Sequence, residues 1–329
     1  MDGLRIDVHV HIVALNEKEH GCYLSRRMRT HPIFRLWALR YNFIELTDEE
    51  FDRRYVETLV SEVREGEGID KAVILALDAV YDSKGRCHRE RTHAYISNDY
   101  ILRLARENDC LLPGVSVHPD RPDALDELER CKAQGAVLVK WLPNSQDIDP
   151  SNPAYDEFYG KLIGLGLPLL SHTGYEHGIP APHQEYGDPR RLQRALDAGV
   201  TVIAAHSGTS GLLRPIEYFD HFVQMIEKYP SFYGDLAAYT SISRAHYLPR
   251  FLRDPALLER LVQGSDYPVP PTPWLFIHKL GLRQCMSFQR ERNIFTRDYL
   301  VKKAMGVPEE VFFRADSILN ILNLRPSGD

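Results

Sequence analysis

Cysteine is scarce in this 329-residue sequence, and so are long apolar runs and blocks of one charge. The five cysteines are widely spaced, odd in number and contain no CxxC pair, so we expect a reduced, cytoplasmic protein. The net charge of -6 is spread out without a basic block, which argues against a nucleic-acid partner. The longest apolar runs are of strand length, too short for a transmembrane helix, so no membrane partner is expected. No signal peptide is visible in the opening stretch MDGLRIDVHV.

Apolar residues form short runs rich in β-branched side chains, and these runs alternate with longer helical patterns. The eight predicted strands cover residues 4–10, 71–78, 112–118, 136–142, 167–172, 200–206, 232–238 and 260–266. The predicted helices between them cover residues 47–66, 93–107, 121–135, 153–166, 188–199, 214–230 and 248–259. With 43% hydrophobic residues, the chain is long enough for one large α/β domain or two medium ones.

Eight strands that alternate with helices predict a single (β/α)8 TIM barrel domain over residues 1–329. A doubly wound open sheet is the competing arrangement, but no glycine-rich dinucleotide turn follows the first strand. Long βα loops are predicted after strands 1, 2 and 8, at residues 12–47, 79–93 and 267–296. Such loops emerge at the carboxyl ends of the strands, where barrel enzymes bind substrate. We therefore expect them to enclose a small molecule.

The first predicted strand carries a polar residue at every second position, in the stretch DVHVH. Strand alternation would put Asp7, His9 and His11 on one face and Val8 and Val10 on the other. A strand face that meets water would usually carry Thr, Lys, Glu or Ser instead. Two histidines at the end of one strand face can both reach a single metal ion. Asp7, one step below His9, is a candidate for supporting that ligand or for a structural hydrogen bond in the barrel floor.

Metal-capable residues recur at the ends of later strands, each above an otherwise apolar face. In the sixth strand, for example, alternation would place Val202 and Ala204 on the face of His206. A lone histidine at a strand end is usually a hydrogen-bonded core residue, but a whole set of such groups in one barrel predicts metal binding. Imidazole and carboxylate suit zinc, manganese or iron(II), with zinc expected first, as one or two ions. The predicted ligands are His9, His11, Lys140, His172, His206 and Asp266.

The motifs DVHVH, VSVHPD, GAVLVKWLP, LPLLSHTG, VIAAHSG and QGSDYP, with the terminal ADSILNILNL, resemble those of the amidohydrolase superfamily. The similarity is closest to the amidohydrolase-2 branch, which contains metal-dependent hydrolases and non-oxidative decarboxylases such as aminocarboxymuconate-semialdehyde decarboxylase. It extends over nearly the whole barrel, whereas the loops at 12–47 and 79–93 match nothing in the family. The resemblance implies a metal-dependent TIM barrel but does not name a substrate.

The resemblance also implies a role for each matching residue. His9 and His11 resemble the first-strand ligands, His172 the fifth-strand ligand and Asp266 the eighth-strand aspartate. His206 resembles the sixth-strand histidine, which is a second-metal ligand in dinuclear members and a general acid/base in mononuclear ones. Lys140 falls where dinuclear members carry a carboxylated lysine that bridges two metals, while many amidohydrolase-2 members have a basic residue there without a carbamate.

Lys140 ends an apolar strand face, where a free ammonium is costly. It can reach the rim, pair with a carboxylate such as Asp266, or react with carbon dioxide, and the sequence leaves these outcomes open.

The predicted catalytic residues are Asp266, which accepts a proton from the attacking water, and His206, which passes one to the leaving group. The leading interpretation is therefore a metal-dependent hydrolase of an amide, lactone or ester bond. The alternative is a metal-dependent decarboxylase of an aromatic or unsaturated acid. Such an enzyme uses the same metal ligands but different proton transfers. A non-catalytic barrel that binds metal is the third possibility, disfavoured because His206 and Asp266 both accompany the ligands.

Rim residues after the later strands would form the wall for a small-molecule substrate, which is expected to be apolar or aromatic. The predicted substrate-binding residues are Trp141, Asn144, Tyr175, His177 and Tyr267. Arg26, Arg27 and Arg29 are possible partners of a substrate carboxylate, although a solvated face is the preferred interpretation. No arginine is assigned to such a group, and a homo-oligomer is possible.

Overall fold

Eight apolar segments pair in parallel, in the order of the chain, to form one sheet that curls into a barrel. This computed structural model describes residues 3–30, 46–211 and 217–321, together with Ala38. The barrel strands are β1 (Ile6–His11), β3 (Lys71–Leu75), β5 (Leu111–Val115), β6 (Leu138–Trp141), β7 (Leu169–His172), β8 (Val202–Ala205), β9 (Phe232–Asp235) and β10 (Leu261–Val262). A separate antiparallel ribbon consists of β2 (Tyr23–Leu24) and β4 (Ala94–Tyr95).

Hydrogen bonds between β1 and the residues that directly follow β10 join the two ends of the sheet. Val8 N donates to Gln263 O at 3.0 Å, and Asp266 N donates to His9 O at 3.0 Å. An open sheet would leave its two edge strands unpaired. The predicted TIM barrel is therefore confirmed, and the doubly wound alternative is wrong. Each of the eight predicted strands overlaps one barrel strand.

Helices fill the connections between the barrel strands, as the alternating pattern predicts. The α-helices in the described ranges are α1 (Glu17–His20), α2 (Arg26–Arg29), α3 (Asp48–Glu65), α4 (Asn98–Glu107), α5 (Ala124–Ala133), α6 (Pro143–Gln146), α7 (Asp156–Leu165), α8 (Gln193–Ala198), α9 (Phe219–Lys228), α10 (Leu248–Phe251), α11 (Pro255–Leu258), α12 (Ile277–Arg290), α13 (Ile294–Met305) and α14 (Glu310–Ile318). Short 3-10 turns cover Arg89–Arg91, Pro153–Tyr155, Gln184–Gly187, Pro189–Leu192, His206–Gly208, Ala245–Tyr247 and Pro273–Phe276. Within the described part of the chain, no helix is long and apolar enough to cross a membrane.

Local sequence signals explain where the helices begin. The hydroxyl of Thr47 accepts a hydrogen bond from Glu50 N at 3.2 Å, and the Glu50 carboxylate accepts one from Thr47 N at 2.9 Å. This capping box starts α3 at the predicted position. The predicted helix 93–107, in contrast, begins only at Asn98, because Ser97 caps it and Ala94–Tyr95 forms β4 instead.

The barrel interior and the layer between strands and helices form separate apolar clusters. Val8 belongs to the interior cluster, whereas Val10 belongs to an outer one. The prediction that these two valines share a face is therefore wrong. The register between β1 and β3 shifts between Asp7 and Val10, and a β-bulge of this kind breaks the two-residue alternation.

Alternation also fails at the end of β8. Ile203 and Ala205 lie in the barrel interior, whereas Val202 and Ala204 pack in the outer layer. The prediction that Val202 and Ala204 lie beneath His206 is thus wrong. His206 has a left-handed φ of 62°, so its side chain leaves the alternating pattern of the strand.

The ribbon joins the long loops that follow the first and second barrel strands. Tyr23 pairs with Tyr95, and Leu24 pairs with Ala94. The predicted loop 12–47 lies partly outside the described residues, as do the start of the predicted helix 214–230 and the end of the motif ADSILNILNL. α2 carries Arg26, Arg27 and Arg29, and Arg29 pairs with Asp48 at 2.9 Å.

Candidate active site

Side chains from the first and last barrel strands converge at the carboxyl-terminal end of the barrel. The Nε2 atoms of His9 and His11 are 3.1 Å apart. Asp266 Oδ1 lies 3.5 Å from His9 Nε2 and 3.2 Å from His11 Nε2. Ligand atoms bound to a tetrahedral zinc ion at about 2.0–2.1 Å are separated by about 3.3 Å. These three atoms are therefore spaced as ligands of a single ion.

Asp235, the last residue of β9, orients the first of these ligands. Its Oδ2 accepts a hydrogen bond from His9 Nδ1 at 2.7 Å, and both residues are fully buried. Its Oδ1 accepts from His206 N at 2.8 Å and from Ala237 N at 3.0 Å. Burial raises the pKa of Asp235, and these backbone donors oppose that rise. Asp235 thus leaves the Nε2 lone pair of His9 facing the site, as carboxylates that bind the far nitrogen of metal-binding histidines do.

The chemistry of the three converging atoms fits a cation. Burial, with repulsion from Lys140, lowers the pKa of His9 well below its usual value, so this ring is neutral. Burial acts to raise the pKa of Asp266, but other effects, the hydrogen bond from His11 first among them, hold it below its usual value. A buried lone pair and a buried carboxylate that face each other need a shared positive charge. The residues present therefore fit a divalent metal ion.

His206 and His172 extend this cluster across the barrel. The His206 ring centre lies 5.0 Å from that of His9 and 4.9 Å from that of His172. His9, His206 and Asp266 each offer a ligand atom within 4.8 Å of the others. His206 Nδ1 lies 3.2 Å from Ala237 O, which it can reach as a donor. His172 Nε2 is buried and has no hydrogen-bond partner among the described residues. Burial lowers the pKa of both rings well below the usual value.

The backbone at His206 is held in a sparsely populated conformation. His206 and Ser207 have φ values of 62° and 48°, and Asp266 has a φ of 67°. The carbonyl of His206 accepts hydrogen bonds from Thr209 N at 2.9 Å, Thr209 Oγ1 at 2.8 Å and Tyr239 OH at 2.9 Å. Left-handed backbone costs about 1–2 kcal/mol per non-glycine residue, and such strain concentrates at functional sites.

Lys140 lies beside the first ligand. Its Nζ is 3.4 Å from His9 Nε2, and the residue is only 2% exposed, so it does not extend to the rim. It forms no ion pair with a carboxylate in the described part of the chain. Burial lowers the pKa of Lys140 to about 8, although Asp235 and Asp266 attract the charged form. Of the three outcomes open from the sequence, the rim position is excluded and the pair with a carboxylate is not observed among the described residues.

Two predicted substrate-binding residues lie elsewhere. Trp141 is fully buried, donates to Val117 O at 2.9 Å and packs on Phe158 at 5.3 Å, outside the barrel. Tyr267 is also buried and stacks on Phe295 at 5.0 Å in an outer cluster. Both predictions are wrong for the same reason: these rings lie on the side of the sheet that faces the helices.

The other predicted wall residues lie in the loop that follows β7 or contact that loop from α6. Asn144 is buried and its amide group donates to Gly174 O at 3.2 Å, so it anchors that loop. The rings of Tyr175 and His177 are 4.8 Å apart, and His177 Nε2 accepts from Gly211 N at 3.1 Å. Contact of these three residues with substrate stays a prediction.

Two charged residues of the site were not assigned from the sequence. Glu176 Oε2 lies 3.5 Å from His172 Nδ1, and Arg244 is 5% exposed in the connection after β9. Burial raises the pKa of Glu176, and the positive charge of Arg244 opposes that rise. Glu176 sits in the motif HTGYEHG, but no pattern around Arg244 distinguishes it from the other arginines. Asp235 did carry a signal, as an acid at the end of an apolar strand.

Most of this chain matches a known protein family. The Amidohydro_2 family model, described as amidohydrolase, matches residues 6–280. The search of curated proteins finds no match.

Solved structures share the fold. A probable 2-pyrone-4,6-dicarboxylic acid hydrolase from Acinetobacter baumannii, with citric acid bound, is 14% identical with a TM-score of 0.55, covering 95% of this chain and 99% of its own. A 2,6-dihydroxybenzoate decarboxylase, complexed with 2,6-dihydroxybenzoate, is 15% identical with a TM-score of 0.54, covering 97% and 100%. A dihydroxybenzoic acid decarboxylase from a Polaromonas species, with manganese and 2-nitroresorcinol bound, is 16% identical with a TM-score of 0.52, covering 98% of both chains.

These structures show a common barrel, and the family match spans most of the sequence. The predicted resemblance to the amidohydrolase-2 branch is confirmed. This chain belongs to the Amidohydro_2 family of amidohydrolase enzymes.

Proposed function

We propose that this protein is a metal-dependent hydrolase that cleaves an amide, lactone or ester bond of a small molecule. The observation that carries the proposal is the convergence of His9 Nε2, His11 Nε2 and Asp266 Oδ1 within 3.5 Å of one another. His206 and Lys140 stand beside these atoms in a buried setting. Zinc is the ion we propose first, and manganese and iron(II) suit the same donors.

A divalent ion at this site would lower the pKa of a bound water from 15.7 to about 7 and polarise a substrate oxygen. Asp266 accepts the proton of the attacking water, because its lowered pKa keeps the carboxylate ionised. If the site holds a single ion, His206 is the acid/base: burial lowers its pKa so that the ring is neutral, its Nδ1 lies against Ala237 O, and its Nε2 is left to exchange a proton with the leaving group. Asp235 holds His9 in the required tautomer throughout.

The number of ions depends on Lys140. The two outcomes that its position leaves are a free amine beside a single ion and a carbamate between two ions. Burial favours the neutral amine, which is the form that attacks carbon dioxide and loses a proton to give the carbamate, and a pKa of about 8 leaves a reactive fraction at neutral pH. We propose the carbamate; His9, His11 and Asp266 would then hold one ion, and His172 and His206 the other.

Non-oxidative decarboxylation of an aromatic or unsaturated acid is the second candidate. The buried cation Arg244 favours it, since a substrate carboxylate would balance that charge. Two of the similar structures described above are decarboxylases.

A substrate screen of the zinc- or manganese-loaded protein tests both candidates. Lactones, esters, amides and aromatic acids would be incubated in ¹⁸O-labelled water, and the products analysed by mass spectrometry. Incorporation of one labelled oxygen into the product supports hydrolysis. Release of carbon dioxide without addition of water supports the decarboxylase and contradicts the hydrolase. Protein that holds no stoichiometric metal after purification without chelator, and takes up none on reconstitution, contradicts both.

A further inference from the structure

Glu176 places a carboxylate behind one of the predicted metal ligands. It lies in the β7 loop, which is defined here as residues 173–188 and follows β7. Its Oε2 is 3.5 Å from Nδ1 of His172, and only 11% of its side chain is exposed. Nε2 of His172 is buried with no hydrogen-bond partner in the described ranges. A histidine that binds a metal through Nε2 carries its proton on Nδ1, so Glu176 stands where an acceptor for that proton is needed.

The other oxygen of Glu176 holds the loop. Its Oε1 accepts hydrogen bonds from Gly178 N at 2.5 Å and from Ile179 N at 2.9 Å. The side chain of Gln184 pairs with both backbone groups of Glu176, because its Oε1 accepts from Glu176 N at 2.9 Å and its Nε2 donates to Glu176 O at 3.0 Å. The two limbs of the β7 loop are thus fastened to one residue. A movement of this carboxylate toward His172 must therefore move the loop.

Asp235 and His9 show the same arrangement in a closer form. Asp235 Oδ2 accepts from His9 Nδ1 at 2.7 Å, and its Oδ1 accepts from two backbone N–H groups. In both pairs, one carboxylate oxygen faces the ring of a predicted ligand and the other binds backbone amides. Asp235 ends a barrel strand, however, whereas Glu176 belongs to a loop and is 3.5 Å from its ring. The contact behind His9 is fully formed, and the contact behind His172 has room to close.

We propose that Glu176 is a positioning residue that fixes the tautomer of His172 and couples ion binding to the conformation of the β7 loop. When Nε2 of His172 binds a cation, its Nδ1 becomes a stronger hydrogen-bond donor, and the carboxylate is drawn toward it with the loop. Tyr175 and His177 flank Glu176 and follow the same movement. The inference rests on the proposed function for the presence of an ion, but the tautomer of His172 can be measured without one.

Glu176→Gln tests this role while keeping the shape of the side chain. The backbone amides of Gly178 and Ile179 still need an acceptor, so the amide oxygen stays on them and the NH2 group turns toward His172. A donor at that position favours the tautomer of His172 that carries its proton on Nε2. This tautomer has no lone pair for a metal.

Glu185→Gln is the matched control. Glu185 Oε1 lies 3.1 Å from Nδ1 of His183 in the same loop, but both of these side chains are exposed. Histidine ¹⁵N NMR of chelator-treated protein gives the tautomer of His172, whose signal is assigned by its absence in His172→Ala. Competition with a fluorescent zinc chelator gives the zinc affinity. Hydrogen exchange measured by mass spectrometry follows the β7 loop with and without zinc.

In the wild type we expect His172 to carry its proton on Nδ1, and saturating zinc to slow exchange in the β7 loop about 10-fold or more. Coupling is reciprocal, so Glu176→Gln should bind zinc about 10- to 100-fold more weakly. The same variant should move the proton of His172 toward Nε2, and zinc should change its loop exchange less than about twofold. Glu185→Gln should match the wild type in all three measurements.

A wild type that binds zinc without a change in loop exchange would overturn the coupling. So would Glu176→Gln with the zinc affinity and the His172 tautomer of the wild type. Faster loop exchange in that variant, by one factor with and without zinc and at unchanged affinity, would also overturn it and leave Glu176 as a cap of its own turn.

The two proposals fail separately. Each of the three results just given leaves the metal-dependent hydrolase standing. Protein that takes up no zinc would contradict the hydrolase and the coupling to an ion, and the tautomer in Glu176→Gln would then decide whether Glu176 positions His172.

Discussion

Two buried polar clusters lie at the carboxyl-terminal end of the barrel, and they differ in how completely their atoms are paired. In the Asp78 cluster (Asp78, His118, Arg121 and Gln146), Asp78 Oδ2 accepts from His118 N at 2.8 Å and from Arg121 at 3.2 Å. His118 Nε2 lies 3.0 Å from Gln146 O, and its Nδ1 accepts from Asp120 N at 3.1 Å. The second cluster, called here the metal-ligand cluster, consists of the predicted ligands together with the nearby Arg244. In this cluster, His172 Nε2 and Arg244 Nε have no hydrogen-bond partner among the described residues.

This difference separates structural from functional polar groups. A cluster whose donors and acceptors are all paired stabilises the fold, because removing any member leaves a buried group unsatisfied. A cluster in which lone pairs and a cation have no partner is less stable than an apolar core. We interpret such a cluster as a binding site for ligands. His118, His172 and His206 all lie at the ends of barrel strands. His118 nevertheless belongs to the paired cluster, whereas His172 and His206 belong to the metal-ligand cluster.

Substitution of one histidine from each cluster should give opposite results, and this is the largest effect we expect. His172→Ala should remove bound metal and lower turnover by about 10³-fold or more, since a ligand and its Lewis-acid contribution are lost. His118→Ala should keep the metal but lower the free energy of unfolding by about 2–4 kcal/mol, because Gln146 O and Asp120 N lose their partner and a cavity forms. Metal content by elemental analysis and urea unfolding of chelator-treated protein measure the two effects.

The double variant His9→Ala/His11→Ala serves as a second loss-of-ligand case and should keep the fold. A loss of metal in His118→Ala, or unfolding of His172→Ala, would contradict the division into two clusters.

The buried charge of Lys140 provides a second test of the cluster with unpaired groups. Lowering its pKa from 10.5 to about 8 corresponds to a penalty of about 3 kcal/mol for the buried ammonium. Below pH 8 the penalty is fully present, because Lys140 is protonated in both the folded and the unfolded protein. It disappears as the pH rises from 8 to 10.5, because in this range only the unfolded protein still binds the proton. In metal-free protein, Lys140→Met should therefore be more stable than the wild type at pH 7, and the difference should shrink between pH 8 and 10.5.

In metal-loaded protein, Lys140→Ala reports on the carbamate. If a carbamate on Lys140 helps to hold two ions, Lys140→Ala should lose one of them, and a short carboxylate that fits the vacated space should partly restore metal and activity. A wild type that holds one ion, with Lys140→Ala retaining it, would refute the carbamate and leave His206 as a free acid/base.

Asp235 and Asp7 form a matched pair of buried acids on either side of His9. Asp235 binds the ring of His9, whereas Asp7 Oδ1 binds the backbone N of His9 at 3.0 Å and of Ser265 at 3.1 Å. Asp235→Asn should weaken metal affinity about 10- to 100-fold, because the tautomer of His9 is no longer fixed. Asp7→Asn should cost stability, with metal affinity changed less than twofold. Competition with a fluorescent zinc chelator measures both affinities, and equal losses would contradict the assignment.

The barrel and most of the metal-ligand set were predictable because strand period, helix caps and strand-end polar residues are local signals. His9, His11, His206, Asp266 and Lys140 are brought together as the repeated strand pattern implied. The side of the sheet on which each side chain lies was less predictable. A β-bulge in β1 and residues with left-handed backbone after β8 break the two-residue alternation of the strands. These features depend on tertiary hydrogen bonds that no local pattern encodes.

The errors at Trp141 and Tyr267 have the same origin. Both follow a site residue by one position, and a ring next to a ligand in sequence lies on the opposite side of the sheet. Arg244 could not be singled out, since its burial with an Nε that has no partner among the described residues is a property of the folded chain alone.

Ala238 gives the smallest predicted effect and tests whether the backbone strain at the site costs stability. Its φ is 64°, and it lies buried in the turn after β9 that carries Arg244. Glycine adopts this conformation without the steric cost of a Cβ, so Ala238→Gly should raise the free energy of unfolding by about 0.5–1 kcal/mol after the greater entropy of unfolded glycine is subtracted. Ala237→Gly, at a neighbouring buried residue outside the left-handed region, should lower it by about 1 kcal/mol. Chemical unfolding of both variants gives the comparison, and a loss of stability in Ala238→Gly equal to that in Ala237→Gly would show that this turn stores no strain.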